Sequence, residues 1–215
     1  MEKLTQTKMT RRELQRLAVA LPAPLALLVL GGREAGIALA QTFGPTPSLV
    51  PTPACGASDH PAGTPSETEG PYFKPDSPQR TSLLEPGMAG TKLLVTGYVY
   101  STACRPVTGA LLDFWQANDA GQYDNAGFML RRHQFTDESG RFALTTIVPG
   151  LYPGRTRHIH VKVQAPHQPV LTTQLYFPYE PHNASDPLYN PALAMDVRDV
   201  AGGKEGIFTF ALTVA

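Results

Sequence analysis

The sequence predicts an all-β fold, a sandwich or barrel of short strands. Two observations carry that reading. Short runs rich in β-branched and aromatic residues, several with period-two alternation, recur along the chain. Turn signals fall between them, at Arg105-Pro106, Asp119-Ala120-Gly121, Ser139-Gly140 and Pro149-Gly150. Short strands separated by such turns bury their apolar faces by packing sheet on sheet or by closing into a barrel.

The elements follow in order. Thr10-Arg11-Arg12-Glu13-Leu14-Gln15-Arg16 precedes a largely apolar run over 17–30, broken by prolines and too short for an ordinary membrane span. The paired arginines look like a twin-arginine export signal, with a small-residue cleavage site at Ala38-Leu39-Ala40. Residues 1–40 are therefore expected to engage the twin-arginine export machinery. The destination would be the periplasm, the cell surface or the exterior. Residues 41–68, rich in Pro, Ser and Thr, read as an arm with little independent structure. Residues 69–215 read as one domain. Strands are predicted over 93–100, 110–115, 141–148, 158–163, 170–177 and 207–214. The stretch 186–199 is less regular, with room for a short helix. Tyr179, with prolines on both sides, reads as a surface-loop residue.

The formal net charge of zero joins two unlike parts. Residues 1–40 hold six Lys/Arg and three Asp/Glu, and residues 41–215 hold twelve and fifteen. The body is mildly acidic and has no basic block, which argues against a nucleic-acid partner. No signal specifies an oligomeric state. The two cysteines, Cys55 and Cys104, are expected to form one disulfide in an exported chain. Closing the intervening loop of 48 residues would contribute about 4 kcal/mol in the chain-entropy account.

The densest chemistry lies in residues 150–160, GLYPGRTRHIH, which bring together Tyr152, Arg155, His158 and His160. Side chains at i and i+2 of a strand share a face, so His158 and His160 can point at one centre while Ile159 packs the other way. Tyr123 offers a second phenol upstream. Two imidazoles and two phenols suit a hard, high-valent metal such as iron better than a thiolate-preferring one. A bound cation can hold a phenol as tyrosinate. The plain alternative is a strand with two half-buried histidines and a turn tyrosine. Trp115 reads as packing support, and His133, His167 and His182 as surface or loop histidines.

These residues stand within an ordered set of motifs. It runs through Glu69-Gly70-Pro71-Tyr72-Phe73, then 109–123 with Trp115-Gln116-Ala117-Asn118 and Gly121-Gln122-Tyr123, then 137–152. It closes with Arg155, His158-Ile159-His160 and Thr173-Gln174-Leu175-Tyr176-Phe177. The set resembles the intradiol ring-cleavage dioxygenases, the catechol, protocatechuate and hydroxyquinol dioxygenases, and looks like an exported member. The resemblance covers roughly residues 68–178 and implies an antiparallel β-sandwich. It also implies Fe(III) held by Tyr123, Tyr152, His158 and His160, with Arg155, Tyr123 and Gln174 in catalysis and Tyr72, Arg155 and Gln174 near the substrate. The implied reaction opens a catechol-type ring with O2 to a cis,cis-muconate-type diacid. Only five residues separate Tyr152 from His158, shorter than in familiar catechol and protocatechuate enzymes, so the pocket rim is expected to differ.

Two rivals remain at this stage. A metal-dependent hydrolase needs a carboxylate base beside the histidine pair, and only Asp113 and Asp124 flank the Tyr123 region. A secreted β-sandwich module binding an aromatic or carbohydrate ligand would use the same residues for packing alone.

Overall fold

Period-two burial shapes eight strands among residues 63–214, the part of this computed structural model that is described. They are β1 Lys92–Ser101, β2 Leu111–Trp115, β3 Arg131–Phe135, β4 Arg141–Ile147, β5 His158–Gln164, β6 Leu171–Tyr176, β7 Asp196–Val200 and β8 Gly203–Leu212. One sheet has the order β4-β1-β8-β7 and the other β3-β2-β5-β6. Their inner faces share one core. Val95 and Val99 of β1, Leu144 of β4 and Phe210 of β8 join Leu112, Ile159, Val161 and Leu175 of the second sheet, all fully buried. Phe114 of β2 meets Phe142 of β4 across the interior, ring centroids 6.0 Å apart.

The expected all-β sandwich is present. The β3-β2-β5-β6 sheet is wholly antiparallel, and the other is mixed, because β1 and β8 pair in parallel from Leu93↔Lys204 to Ser101↔Leu212. A parallel pair needs a long crossover, and the chain from β2 to β7 supplies it. An apolar pattern along one strand carries no information about its partner's direction. Two strands were also missed. β3 is rich in arginine and lacks an apolar alternation, so His133 lies in a strand instead of a loop. The stretch 186–199 holds the 3-10 turn Pro191–Leu193 and then β7, an exposed edge strand. Tyr179 is 98% exposed, as expected, and His167 and His182 are also exposed.

The leader over 1–40, with Arg11 and Arg12, lies outside the described residues, as do Cys55 and most of the 41–68 arm. The described end of that arm runs against the body. Thr64 N–H donates to Ala211 O at 2.8 Å and Glu67 N–H to Thr172 O at 2.9 Å. The chain then passes β3, where Arg80 N–H donates to His133 O at 2.9 Å, and reaches β4, where Leu83 N–H donates to Thr145 O at 2.8 Å.

Two loops leave the second sheet on its outer face, 116–130 after β2 and 148–157 before β5. Gln116 ties them to the sandwich: its Nε2 donates to Ile147 O at 2.9 Å and its Oε1 accepts from Thr146 at 2.8 Å. They then touch backbone to backbone. Gly150 N–H donates to Asn118 O at 2.7 Å. A Cβ on Gly150 would stand 2.3 Å from Gly121 N, and a Cβ on Gly121 would stand 2.1 Å from Leu151 O. Gly121 also has φ +79°, a left-handed conformation that side chains resist.

Gly150→Ala is expected to force these loops apart, with an overpacking cost of about 1–3 kcal/mol. Urea denaturation should show the lower midpoint with an unchanged m-value. A midpoint equal to wild type would mean that the loops accommodate a methyl group without moving.

Candidate metal centre

The alternation of β5 decides where the chemistry lies. Ile159, Val161 and Val163 are in the core, so His158 and His160 point to the opposite face, beneath the two loops. Both are buried, 4% and 3% exposed. His158 Nδ1 is 2.7 Å from Thr156 O. A carbonyl only accepts, so Nδ1 carries the proton and the Nε2 lone pair faces the centre. His160 stacks on Trp115, its cross-strand partner, with centroids 4.8 Å apart and planes at 6°. Its Nδ1 is buried without a hydrogen-bond partner among the described residues.

Three tyrosines close over the imidazoles. The 116–130 loop brings the Tyr123 hydroxyl to 3.1 Å from His158 Nε2. The 148–157 loop brings Tyr152 to Tyr123, with ring centroids 5.8 Å apart. Tyr123 also stands edge-on to His160 at 6.1 Å. The Tyr72 ring stacks on Tyr123 at 4.5 Å, and its hydroxyl lies 2.8 Å from that of Tyr152. The four residues expected to hold a metal therefore share one place, with Tyr72 beside them.

Arg155, not Arg157, belongs to this neighbourhood. Its Nη2 donates to Gln174 Oε1 at 2.7 Å, and its Nε donates to Asp186 Oδ2 at 2.9 Å. Gln174 is fully buried and also donates to Thr68 O at 3.0 Å. Arg157 instead pairs with Glu180 at 3.1 Å and donates to Pro149 O.

Sequence reasoning missed two participants. Asp186 accepts from Arg155 and from Thr156 N–H at 2.9 Å, so it fixes the residue whose carbonyl holds His158. No local signal distinguishes it, since a Ser-Asp-Pro text also reads as a turn. Arg131 of β3 is 2% exposed. It donates to Asp124 O at 3.0 and 2.8 Å and to Tyr72 O, clasping the residues beside Tyr123. Its position on an unrecognised strand hid it.

Burial governs the electrostatics. It lowers His158 to about 4, with Arg155 adding in the same direction. It also lowers His160 well below the usual imidazole value, with His158 the next cause. Both rings are thereby neutral and keep lone pairs for a cation. Burial pushes the Tyr123 phenol up, against the pull of Arg155 and Arg131. Burial likewise works to raise the Asp186 carboxyl, but the N–H groups of Leu188 and Thr156 and the Arg155 guanidinium outweigh it, and it ends below its ordinary value. The Tyr123 phenol thus stays protonated unless a positive charge enters, and the imidazoles are ready to receive one. That donor set fits a hard metal ion.

The carboxylates face elsewhere. Asp113 accepts from Ser77 at 2.8 Å, and Asp124 accepts from the N–H groups of Ala126, Gly127 and Met129 at 2.8–2.9 Å. Ser77 Oγ also lies 3.2 Å from Nδ1 of His133. Among the described residues there is no grouping of three or more His, Cys, Asp or Glu, so any metal here depends on phenol oxygens.

Comparison with known proteins bears on the family and the fold. The family model described as Dioxygenase matches residues 68–200. The chain is similar to the dioxygenase domain of a dioxygenase carbohydrate-binding protein fusion from Streptomyces sp. SirexAA-E. That likeness has 63% identity and a TM-score of 0.70, covering 71% of this chain and 99% of that one. It is also similar to 3-chlorocatechol 1,2-dioxygenase from Rhodococcus opacus 1CP, with 28% identity, a TM-score of 0.67, and 71% and 74% of the two chains covered. The protocatechuate 3,4-dioxygenase beta chain of Burkholderia cepacia is 34% identical over 127 residues, 50% of this chain and 54% of that relative. The chain spans about half the length of the curated relatives it matches.

The buried imidazoles give the metal-free protein a pH signature. The ordinary His158 value is 6.5 and the folded value about 4. Between them the unfolded state binds a proton that the folded state does not. Stability is therefore fully present above pH 6.5 and falls as pH drops toward 4. His158 alone accounts for about 3 kcal/mol, and His160 acts in the same direction. Denaturation of metal-free protein across this range should show the slope, and His158→Gln should flatten it. A level wild-type profile would contradict the neutral buried ring.

Proposed function

The chain belongs to this dioxygenase family, and from that membership we propose that it binds Fe(III) and cleaves a catechol-type ring between its two hydroxyl-bearing carbons. O2 is the co-substrate and a cis,cis-muconate-type diacid the product. The observation that carries the reading is the convergence of His158 and His160 with Tyr123 and Tyr152. These four residues would hold the iron. When bound, iron would supply Lewis acidity toward the substrate oxygens and a route for electron density between ring and O2.

The chain's own groups divide the remaining work. Tyr123, beside His158, would be held as a phenolate by the bound metal, and in that form its oxygen would take a substrate proton and become the neutral phenol. Arg155 presents a permanent positive charge to negative charge developing on the ring. Asp186 and Gln174 fix the direction of that guanidinium. Tyr72 covers the substrate side with its ring. The loop walls and the 63–73 segment keep water from the two imidazoles. Because Asp186 also holds Thr156, Arg155 supports the His158 carbonyl contact as well as the substrate.

We further propose that residues 1–40 direct twin-arginine export, that 41–68 form an arm, and that 69–215 form the catalytic body. A Cys55–Cys104 bridge belongs to the same reading. It is supported by the absence of a free cysteine among the described residues.

Purified protein should contain about one iron per chain, as a single four-ligand site requires, and should show tyrosinate bands by visible and resonance Raman spectroscopy. Anaerobic catechol binding followed by O2 should yield the intradiol diacid. A colourless protein that binds aromatics without turnover would instead support a binding module. Replacing His158 or His160 should abolish iron retention. Arg155→Lys should keep most iron yet lower kcat by at least tenfold, about 1.4 kcal/mol in the barrier, because an ammonium cannot serve Asp186 and Gln174 together. Wild-type turnover in that variant would remove Arg155 from catalysis.

Replacing both Arg11 and Arg12 with lysine should retain the precursor in the cytoplasm, as fractionation would reveal. Non-reducing peptide mapping of exported protein should recover Cys55 linked to Cys104. Two free thiols there would rule out the bridge.

A further inference from the structure

Two cations face one open cavity with no anion beside them. The cavity has a volume of about 420 Å³ and is lined by Pro71, Tyr72, Phe73, Lys74, Asn125 and Arg131. None of the four residues expected to hold a metal lines it. It shares only Tyr72 with that centre, through the ring that lies 4.5 Å from the ring of Tyr123.

Arg131 is 2% exposed, yet every oxygen it bonds is neutral. Its Nε and Nη2 donate to Asp124 O, and its Nη1 donates to Tyr72 O. A guanidinium has five N–H donors, so one on each terminal nitrogen is left without a partner among the described residues. Lys74 stands in the same condition. Its ammonium donates to Ala126 O at 2.7 Å and to Gly127 O at 3.1 Å, and lies 4.5 Å from the centre of the Phe128 ring. One of its three donors remains. Neither cation makes an ion pair among the described residues. Asp124 is committed to the N–H groups of Ala126, Gly127 and Met129, and Asp113 to Ser77. Asp76 is exposed and does not line the cavity. Asn125, also exposed, adds an amide to the rim.

A buried charge surrounded by neutral dipoles alone is costly, and a paired one is less so. A carboxylate is the matching partner. Its two oxygens accept from a guanidinium side by side, and hydrogen bonds between such charged groups are the strong ones. The rings of Pro71, Tyr72 and Phe73 give the cavity an apolar wall. That wall suits the carbon skeleton of an organic acid better than an inorganic ion.

We propose that this cavity is a carboxylate-binding site, with Arg131 and Lys74 as the receiving charges and Asn125 at its rim. The carboxylate belongs to a side arm of the aromatic substrate or to a separate organic acid. Binding itself does not depend on iron, whereas the substrate-arm source rests on the dioxygenase reading above.

Calorimetric titration of the iron-loaded protein with propionate should show saturable binding that weakens as salt is added. Lys74→Glu should weaken it about tenfold or more, the scale of a lost charge-assisted hydrogen bond. Asn125→Asp, at an exposed position that tolerates exchange, should weaken it in the same direction. Propionate held by the metal would ignore both substitutions. No saturation in the wild type, or wild-type affinity in either variant, would overturn the inference. Turnover then separates the two sources. Dihydrocaffeate, a catechol whose carboxylate stands on a short carbon arm, is compared with its uncharged propyl analogue. A KM that rises in Lys74→Glu for dihydrocaffeate alone identifies the substrate arm. An unchanged KM for both, alongside the propionate defect, identifies a separate acid. A wild-type protein that binds propionate but cleaves neither catechol would overturn the dioxygenase reading and leave the carboxylate site standing.

Discussion

The period of two along β5 is the constraint on which the rest depends. Ile159, Val161 and Val163 are committed to the sandwich core, and that commitment sends His158 and His160 to the outer face. A slip of one residue would exchange the two sets, placing imidazoles in an apolar interior and aliphatics at the site. β2 on one side, β6 on the other and the packed core beneath all oppose that slip. The imidazole spacing is therefore set by the hydrophobic effect acting on their neighbours.

What the sheet does for the imidazoles, the loops do for the phenols. Tyr123 and Tyr152 sit on loops whose backbones touch at Gly121 and Gly150, so neither can drift alone. Arg131 and the Asp186–Arg155–Gln174 chain act one layer further out, linking β3, β6, the 3-10 region and the end of the arm. Each is a buried charge with several hydrogen bonds, costly to strip of partners. Such groups hold a geometry that loops would otherwise leave loose.

Much of this was legible in the sequence because it is local. The His-x-His spacing on a strand and the tyrosine six residues earlier needed only the chain's text and the strand period. Arg155 was named through the family resemblance, and in the structure its Nη2 donates to Gln174 Oε1 at 2.7 Å. Asp186 and Arg131 were hidden because their importance arises from contacts with residues 30 and 59 positions away. The direction of β8 was hidden for a similar reason: an apolar alternation reads the same with a parallel or an antiparallel neighbour.

The parallel pairing of β1 with β8 bears on how the molecule is assembled. Its partners are roughly 110 residues apart, as in Leu93↔Lys204, and such distant contacts are slow to form. A chain emerging from the ribosome makes β2, β3, β5 and β6 well before β8 exists, and those four complete the histidine-bearing sheet. The sheet that backs it waits for the carboxy-terminal strand. During synthesis, then, the half that carries the chemistry can be in register while its apolar underside is still uncovered, and the last ten-residue strand closes the molecule.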